Sequence, residues 1–330
     1  MTRPLLELHD LEMHFPTRHG VLKALDGVSL TIQRGETLGL VGESGCGKST
    51  LARALIRLYR PTGGRVVLDG TDITTLGDKA LKPHRRRVQM IFQDPVAALN
   101  GRMTVGELIA EPLEVMGIGT AKSRRARVAA LLDQVGLGAE AADRYPHAFS
   151  GGQRQRVGIA RAIALEPDLV VCDEPISALD VSIQAQIVNM LSELKRDTGL
   201  AYLFITHDLS MLRHIADRIG VMYLGKLVEI APSEALHTAP RHPYTQLLWS
   251  AIPVPDPEAR RDDAFETGEV PSPLDLPSGC RFRTRCPRAT ALCAEVEPDL
   301  TLHDDGHAVA CHHPLPAGST SHTQEERENA

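Results

Sequence analysis

The hydrophobic and polar positions of this chain change period several times, and each change predicts an element. Val28, Leu30 and Ile32 alternate with Ser29 and Thr31, as in a half-buried strand. Val66-Val67-Leu68 runs into Asp69-Gly70, a strand ending in a turn. Thr37 to Val41 is a short apolar strand, and Gln89 to Phe92 reads as another. Leu169 to Cys172 and Tyr202 to Ile205 are continuous apolar runs, the pattern of parallel strands covered on both faces. Leu51 to Tyr59, Ser182 to Arg196 and Leu209 to Ala216 read as helices. From about residue 100 to 165 the pattern is helical, with Gly117 and Gly119 as a break. Val221 to Leu224 and Leu227 to Ile230 flank Gly225-Lys226, which predicts a hairpin. Pro253, Pro255, Pro257, Pro271, Pro273 and Pro277 mark an extended linker. The polar stretch Gly318 to Ala330 predicts a disordered tail.

The run after the strand Thr37 to Val41 carries the first chemistry. Gly42-Glu43-Ser44-Gly45-Cys46-Gly47-Lys48-Ser49-Thr50 fits G-x-x-x-x-G-K-[ST], the phosphate-binding P-loop. Its glycines let the backbone wind with N–H groups turned inward, an anion-binding nest. Lys48 can reach the β- and γ-phosphates, and the Ser49 hydroxyl can sit on Mg²⁺. Thr50 is expected to open a helix whose N-terminus favours the phosphates. Strand before and helix after are the context that separates a P-loop from a chance glycine-rich turn.

Composition narrows the class. The 330 residues suffice for more than one structural unit. With 42% hydrophobic and 24% charged residues the chain is an ordinary globular one. Its net charge of -6 gives no global case for nucleic acid. The basic runs His84 to Arg87 and Lys122 to Arg125 are therefore expected to be solvated helix faces or contacts near lipid headgroups. No stretch approaches the ~20 apolar residues of a membrane span. Met1 to Phe15 carries Glu7, Asp10 and Glu12 and does not read as a signal peptide. The expectation is a cytosolic chain with reduced cysteines. No internal repeat is visible.

Four further signals follow the P-loop in order. Gln93 follows the strand Gln89 to Phe92. Ser150-Gly151-Gly152-Gln153 opens a helical run, with Ser150 at a natural N-cap. Asp173-Glu174 follows the strand Leu169 to Cys172, and His207 follows Tyr202 to Thr206. Over about residues 5 to 250 this series resembles the ATP-binding subunits of ABC transporters. An acidic residue at a parallel strand's end beside a P-loop suits Mg²⁺, which is the place of Asp173. Glu174 can orient or deprotonate the attacking water. His207 can sense the γ-phosphate, and Gln93 can bring an amide near Mg²⁺ and the water. The resemblance implies that residues 150–153 meet the γ-phosphate held by a partner subunit. It likewise implies that Ser177-Ala178-Leu179-Asp180 links the two sites across that interface. Phe15 is expected to end an N-terminal strand, where the resemblance implies an aromatic stacked on adenine; a core aromatic is the alternative.

Finer features resemble the oligopeptide/dipeptide permease branch. They include Phe92-Gln93-Asp94-Pro95, Tyr145-Pro146-His147, Leu179 to Gln186 and His242-Pro243-Tyr244-Thr245. Arg102-Met103-Thr104-Val105 favours the F-type subunit over the D-type. Gly101 stands where the family usually has proline, next to the expected contact with membrane subunits. Nickel importers share these motifs, so the cargo stays open. Cys280, Cys286, Cys293 and Cys311 have five, six and seventeen residues between them. Four cysteines in one short cytosolic segment point to metal, and they resemble the C-terminal extension of peptide-permease ATPases. That extension can hold a [4Fe–4S] cluster on four thiolates. Zinc, with His312 or His313 replacing a thiol, and free thiols or disulfides are the alternatives.

The fold expected is α/β, a P-loop NTPase core of ABC type with an antiparallel β-subdomain and a helical subdomain. The ATPase domain would span 1–250, the cysteine-bearing extension 251–317 and the tail 318–330. The function implied is an ATP- and Mg²⁺-dependent ATPase subunit of a peptide importer, peripheral on the cytoplasmic face of the membrane. Its implied partners are a second, D-type ATPase subunit in a heterodimer, two membrane permeases and an extracytoplasmic binding protein, with no nucleic acid. A soluble ABC ATPase would carry a coiled-coil insertion or two fused halves, and neither pattern occurs here. A small-molecule P-loop kinase would lack Ser150 to Gln153.

Overall fold

The computed structural model describes residues 3–177, 179–250 and 268–316. In chain order the strands are β1 (Leu6–Thr17), β2 (Gly20–Ile32), β3 (Thr37–Val41), β4 (Gly63–Leu68), β5 (Thr71–Asp72) and β6 (Val88–Ile91). There follow β7 (Leu169–Asp173), β8 (Ala201–Ile205), β9 (Arg218–Tyr223), β10 (Lys226–Pro232), β11 (Thr301–Leu302) and β12 (Ala308–Val309). One sheet is antiparallel, in the order β2-β1-β4-β5. The other runs β11-β12-β10-β9-β3-β8-β7-β6. Its stretch from β9 to β6 is parallel, while β10, β12 and β11 are added antiparallel.

The helices are α1 (Lys48–Leu55), α2 (Asp78–Arg87), α3 (Pro95–Ala98), α4 (Val105–Met116), α5 (Ala121–Gln134) and α6 (Gly151–Ile163). Then come α7 (Val181–Thr198), α8 (Leu209–Ile215), α9 (Ser233–Thr238), α10 (Pro243–Ser250) and α11 (Ala291–Glu295). The expected glycine break is real: Gly117 ends α4 with φ 72, and a Thr120 capping box starts α5. The hairpin is real as well, since β9 and β10 pair from Tyr223↔Lys226 outward.

The continuous apolar strands are buried on both faces and feed two cores. From β7 and β8, Val170, Cys172, Tyr202 and Phe204 enter a core shared with α4, α5, α6 and α7. Their neighbours Leu169, Val171, Leu203 and Ile205 enter a second core with α1 and the antiparallel sheet. A period of two thus stitches three layers together. Each fully buried Leu or Phe contributes about 1.5–3 kcal/mol to holding them.

Three expectations need correction. The helix after the P-loop spans Lys48–Leu55, so it opens at Lys48 rather than Thr50 and stops short of Tyr59. Arg57, a buried residue, takes a left-handed φ of 59, and its Nε donates to the Ile73 carbonyl at 2.9 Å. A buried side-chain bond of that kind outweighs helix propensity. β1 continues past Phe15 to Thr17 before turning at Gly20. The basic run His84 to Arg87 ends α2, and Arg87 is not simply solvated. It bridges Asp69 at 2.9 Å and Asp168 at 2.5 Å, joining the two sheets' layers. Lys122 and Arg125 on α5 are exposed as expected.

Beyond residue 268 the chain returns to the core. β12 pairs with β10 through Glu229↔Val309 and Ile230↔Ala308. Beside them Glu229, 0% exposed, accepts from the Arg241 N–H at 2.6 Å and the His242 N–H at 3.0 Å, and pairs with His307 Nε2 at 2.5 Å. A buried carboxylate so fully partnered anchors the returning segment. The prolines at 253–257 and the tail 318–330 lie outside the described residues.

Candidate nucleotide site

The chemistry-bearing residues gather at one edge of the large sheet because its parallel strands all end there. β3 delivers the P-loop, β6 Gln93, β7 Asp173 and Glu174, and β8 His207. In open α/β sheets this carboxyl edge, where strand order switches, is the place for a ligand. Here β3 lies between β8 and β9. Register brings Leu40 and Asp173 both opposite Ile205, so the P-loop helix and the acidic strand end side by side.

Ser49 Oγ donates to Asp173 Oδ1 at 2.9 Å. Asp173 is 1% exposed. Burial pushes its carboxyl above the usual carboxylate range, against the pull of Ser49 and Arg53. A divalent cation between these two groups would hold it ionised. Lys48, 6% exposed, donates to the carbonyls of Gly42 at 2.6 Å and Glu43 at 3.0 Å. Gly42 and Gly47 are required by the loop's winding. With φ 154 and 111, a Cβ would stand 2.2 Å from the Met222 carbonyl oxygen or 2.3 Å from that of Ala24.

Glu174 takes a left-handed φ of 47, an uncommon conformation that costs about 1–3 kcal/mol where it occurs. The turn aims its carboxylate at two other predicted residues. Gln93 Nε2 donates to Glu174 Oε2 at 2.9 Å, and His207 Nδ1 lies 3.7 Å from the same oxygen. Gln93 and His207 are otherwise exposed. The three line a cleft of about 560 Å³ together with Phe15, Ser44, Gly45, Gly47, Lys48, Ser49 and Thr50. Phe15 is half-buried on its rim, its ring edge-on to Tyr59 at 5.8 Å. Gly42, Glu43 and Cys46 do not line the cleft. They support it from behind, with Cys46 3% exposed.

Residues 150–153 are not brought there. Ser150 caps α6 in a reciprocal box: its Oγ accepts from Gln153 N at 3.4 Å, and Gln153 Oε1 accepts from Ser150 N at 3.0 Å. Ser150, Gly151 and Gln153 are exposed, and none lines the P-loop cleft. Asp180, at the N-cap of α7, is exposed too and makes no side-chain cap.

Residues 25–177 match the ABC transporter family, and residues 228–293 match the oligopeptide/dipeptide transporter C-terminal region. The putative oligopeptide transport ATP-binding protein YkfD of Bacillus subtilis is 55% identical over 94% of this chain and 95% of its own. The chain belongs to the ATP-binding subunits of the oligopeptide/dipeptide ABC transporter family. The oligopeptide transport ATP-binding protein AppF of B. subtilis is 50% identical, over 93% of this chain and 97% of that one. Among solved structures it is similar to the dimeric post-hydrolysis ATP-binding cassette MJ0796 bound to ADP and Pi. That similarity has TM-score 0.64 and 30% identity, over 69% of this chain and 98% of that one. An ABC ATPase takes ATP with Mg²⁺. No helix among the described residues is long and apolar enough to cross a membrane.

Two parts of this ABC ATPase fall out differently from the sequence reading. The four late cysteines converge, but not as a ligand set. Burial pushes the Cys280 and Cys286 thiols up and Cys311 up to about 11, and the neighbouring thiols' charges add to this. Among the described residues no group of three or more His, Cys, Asp or Glu stands close enough to hold a metal ion. The donor chemistry suits a thiolate-bound centre; the separations do not. The second part was missed. Pro273 lines the nucleotide cleft, and Arg285 and Tyr244 bond to Glu43 of the P-loop. Arg285 and Glu43 stand 242 positions apart, so no local signal links them.

Proposed function

We propose that this chain is the ATP-binding and ATP-hydrolysing subunit of a membrane importer of oligopeptides or dipeptides. In this reading Lys48 and the P-loop N–H groups hold the phosphates. Ser49, Asp173 and Gln93 hold Mg²⁺. Glu174 orients the attacking water, His207 senses the γ-phosphate and Phe15 stacks on adenine. Residues 150–153 close on the nucleotide of a second, D-type ATPase subunit, and Asp180 lies in the segment linking the two sites. Closing and opening of that pair drives two membrane permeases fed by an extracytoplasmic binding protein, with the ATPase on the cytoplasmic face. The ATPase domain is taken as residues 1–250 and the extension as 251–317.

The observation that carries the reading is the convergence of Gln93 and His207 on one Glu174 oxygen, beside the Ser49–Asp173 pair. Three separate strand ends agree on one carboxylate, which is what water activation needs. The test is ATPase activity and labelled-peptide uptake in vesicles holding the whole complex. Peptide-stimulated ATP turnover coupled to uptake is expected. Uptake of nickel with indifference to peptides would overturn the cargo, and the absence of Mg²⁺-dependent ATP turnover would overturn the ATPase.

In the same reading Cys280, Cys286, Cys293 and Cys311 would supply the four thiolates of a [4Fe–4S] centre, which would be structural. What supports it is the donor set and the mutual influence of the four thiols. Full-length protein purified without oxygen should carry about four iron atoms. Cys286→Ser should lower that content. One zinc per chain instead would favour the zinc reading, and neither metal would leave free thiols.

A further inference from the structure

The P-loop's second residue is held from outside the ATPase core. Arg285 Nη1 and Nη2 donate to Glu43 Oε2 and Oε1 at 2.8 and 2.9 Å, a two-pronged pair. The Arg285 side chain is 6% exposed and that of Glu43 27%. The guanidinium lies 5.8 Å from the Tyr223 ring and 5.7 Å from that of Phe282. The Glu43 backbone is engaged too. Its N–H donates to Tyr244 Oη at 2.9 Å, and its carbonyl accepts from Lys48 Nζ at 3.0 Å. Tyr244 in turn packs 5.4 Å from Phe282, a buried residue of the returning segment. The same segment is pinned nearby by Arg281, which binds Asp26 and the Leu224 carbonyl.

Glu43 does not line the cleft, and both its carboxylate oxygens are taken up by Arg285. What it does have is a rigid partner on one side and the phosphate-contacting Lys48 on the other. We propose that Arg285 is a positioning residue for ATP: through Glu43 it fixes the entry to the P-loop, making the cysteine-bearing segment part of the nucleotide site. Since this rests on the ATPase reading, the experiment must let the two fail separately.

A partly buried two-pronged pair is strongly coupled. Mg²⁺-ATP affinity of the full-length chain is measured by titration with a fluorescent ATP analogue, alongside the melting temperature. Arg285→Ala and Glu43→Gln should each weaken ATP by roughly tenfold, and the double variant should lose no more than either alone. Arg285→Lys should recover part of the loss. The exchange Glu43→Arg with Arg285→Glu should recover more than either half, which covers the case where Arg285→Ala folds poorly. In the complex at saturating ATP, turnover should return while KM stays raised. A purely structural Arg285 would lower the melting temperature and leave ATP affinity unchanged, and that result, or additive losses, would overturn the proposal. If the unaltered chain does not bind Mg²⁺-ATP, the ATPase reading itself fails.

Discussion

Two glycine-rich helix starts in this chain look alike and are used in opposite ways. α1 begins after Gly47, which offers no side-chain cap and has a left-handed φ of 111. α6 begins after Ser150, which caps its helix reciprocally with Gln153. Both leave first-turn N–H groups that attract anions. Only α1 is surrounded by the rest of a reaction site, with Lys48 buried and Ser49 on Asp173. The start of α6 is exposed, with neither beside it. A helix terminus supplies an anion preference, and its neighbours decide whose anion. In the proposed assembly α1 serves this chain's nucleotide and α6 the partner's.

The comparison breaks most visibly at Glu174. Glu174→Gln keeps the shape and loses the charge that Gln93 and His207 face. Turnover of the complex should fall by about 10²–10⁴, with Mg²⁺-ATP still bound by the isolated chain. Near-normal turnover would move water activation elsewhere. Next, the two termini should fail differently. Lys48→Ala should weaken ATP binding by the isolated chain by roughly ten- to a hundredfold, since a charge-assisted bond to phosphate is lost. Ser150→Arg should leave that affinity in place and stop ATP from pairing the chain with its partner, as read by sedimentation. Equal losses of affinity in both would erase the distinction. The smallest effect is local. Ser150→Ala should cost about 1 kcal/mol in denaturant unfolding, and Ser150→Gly only a few tenths. No loss on Ser150→Ala would mean the cap is idle in solution.

What could be read from the sequence follows from the range of the forces involved. Gly42 to Thr50, Asp173-Glu174 and Ser150 to Gln153 were legible because a loop, a strand end and a cap are fixed within a few residues. The two buried parallel strands were legible from unbroken apolar runs. Of α2 only the basic run His84 to Arg87 was legible, as a helix face, because its window is mostly charged and holds Pro83 inside the helix, so no apolar period marks its bounds. The early end of α1 depends on Arg57 finding Ile73, and the P-loop's rear support depends on Arg285 finding Glu43. Those partners are chosen by the fold. The cysteines were read correctly as neighbours in sequence, but neighbourhood does not set ligating distance.

The pairing of β12 with β10 has one more consequence. β10 would otherwise end the large sheet, and its residues from Leu227 to Ala231 are all buried. An uncovered strand of that kind is a template for another chain. β12 and β11, two residues each, therefore act as a lid on self-association, ending the sheet in an edge too brief to recruit a copy. A chain stopped before residue 268 would be expected to lose Arg285's hold on Glu43 and to clump as its concentration rises.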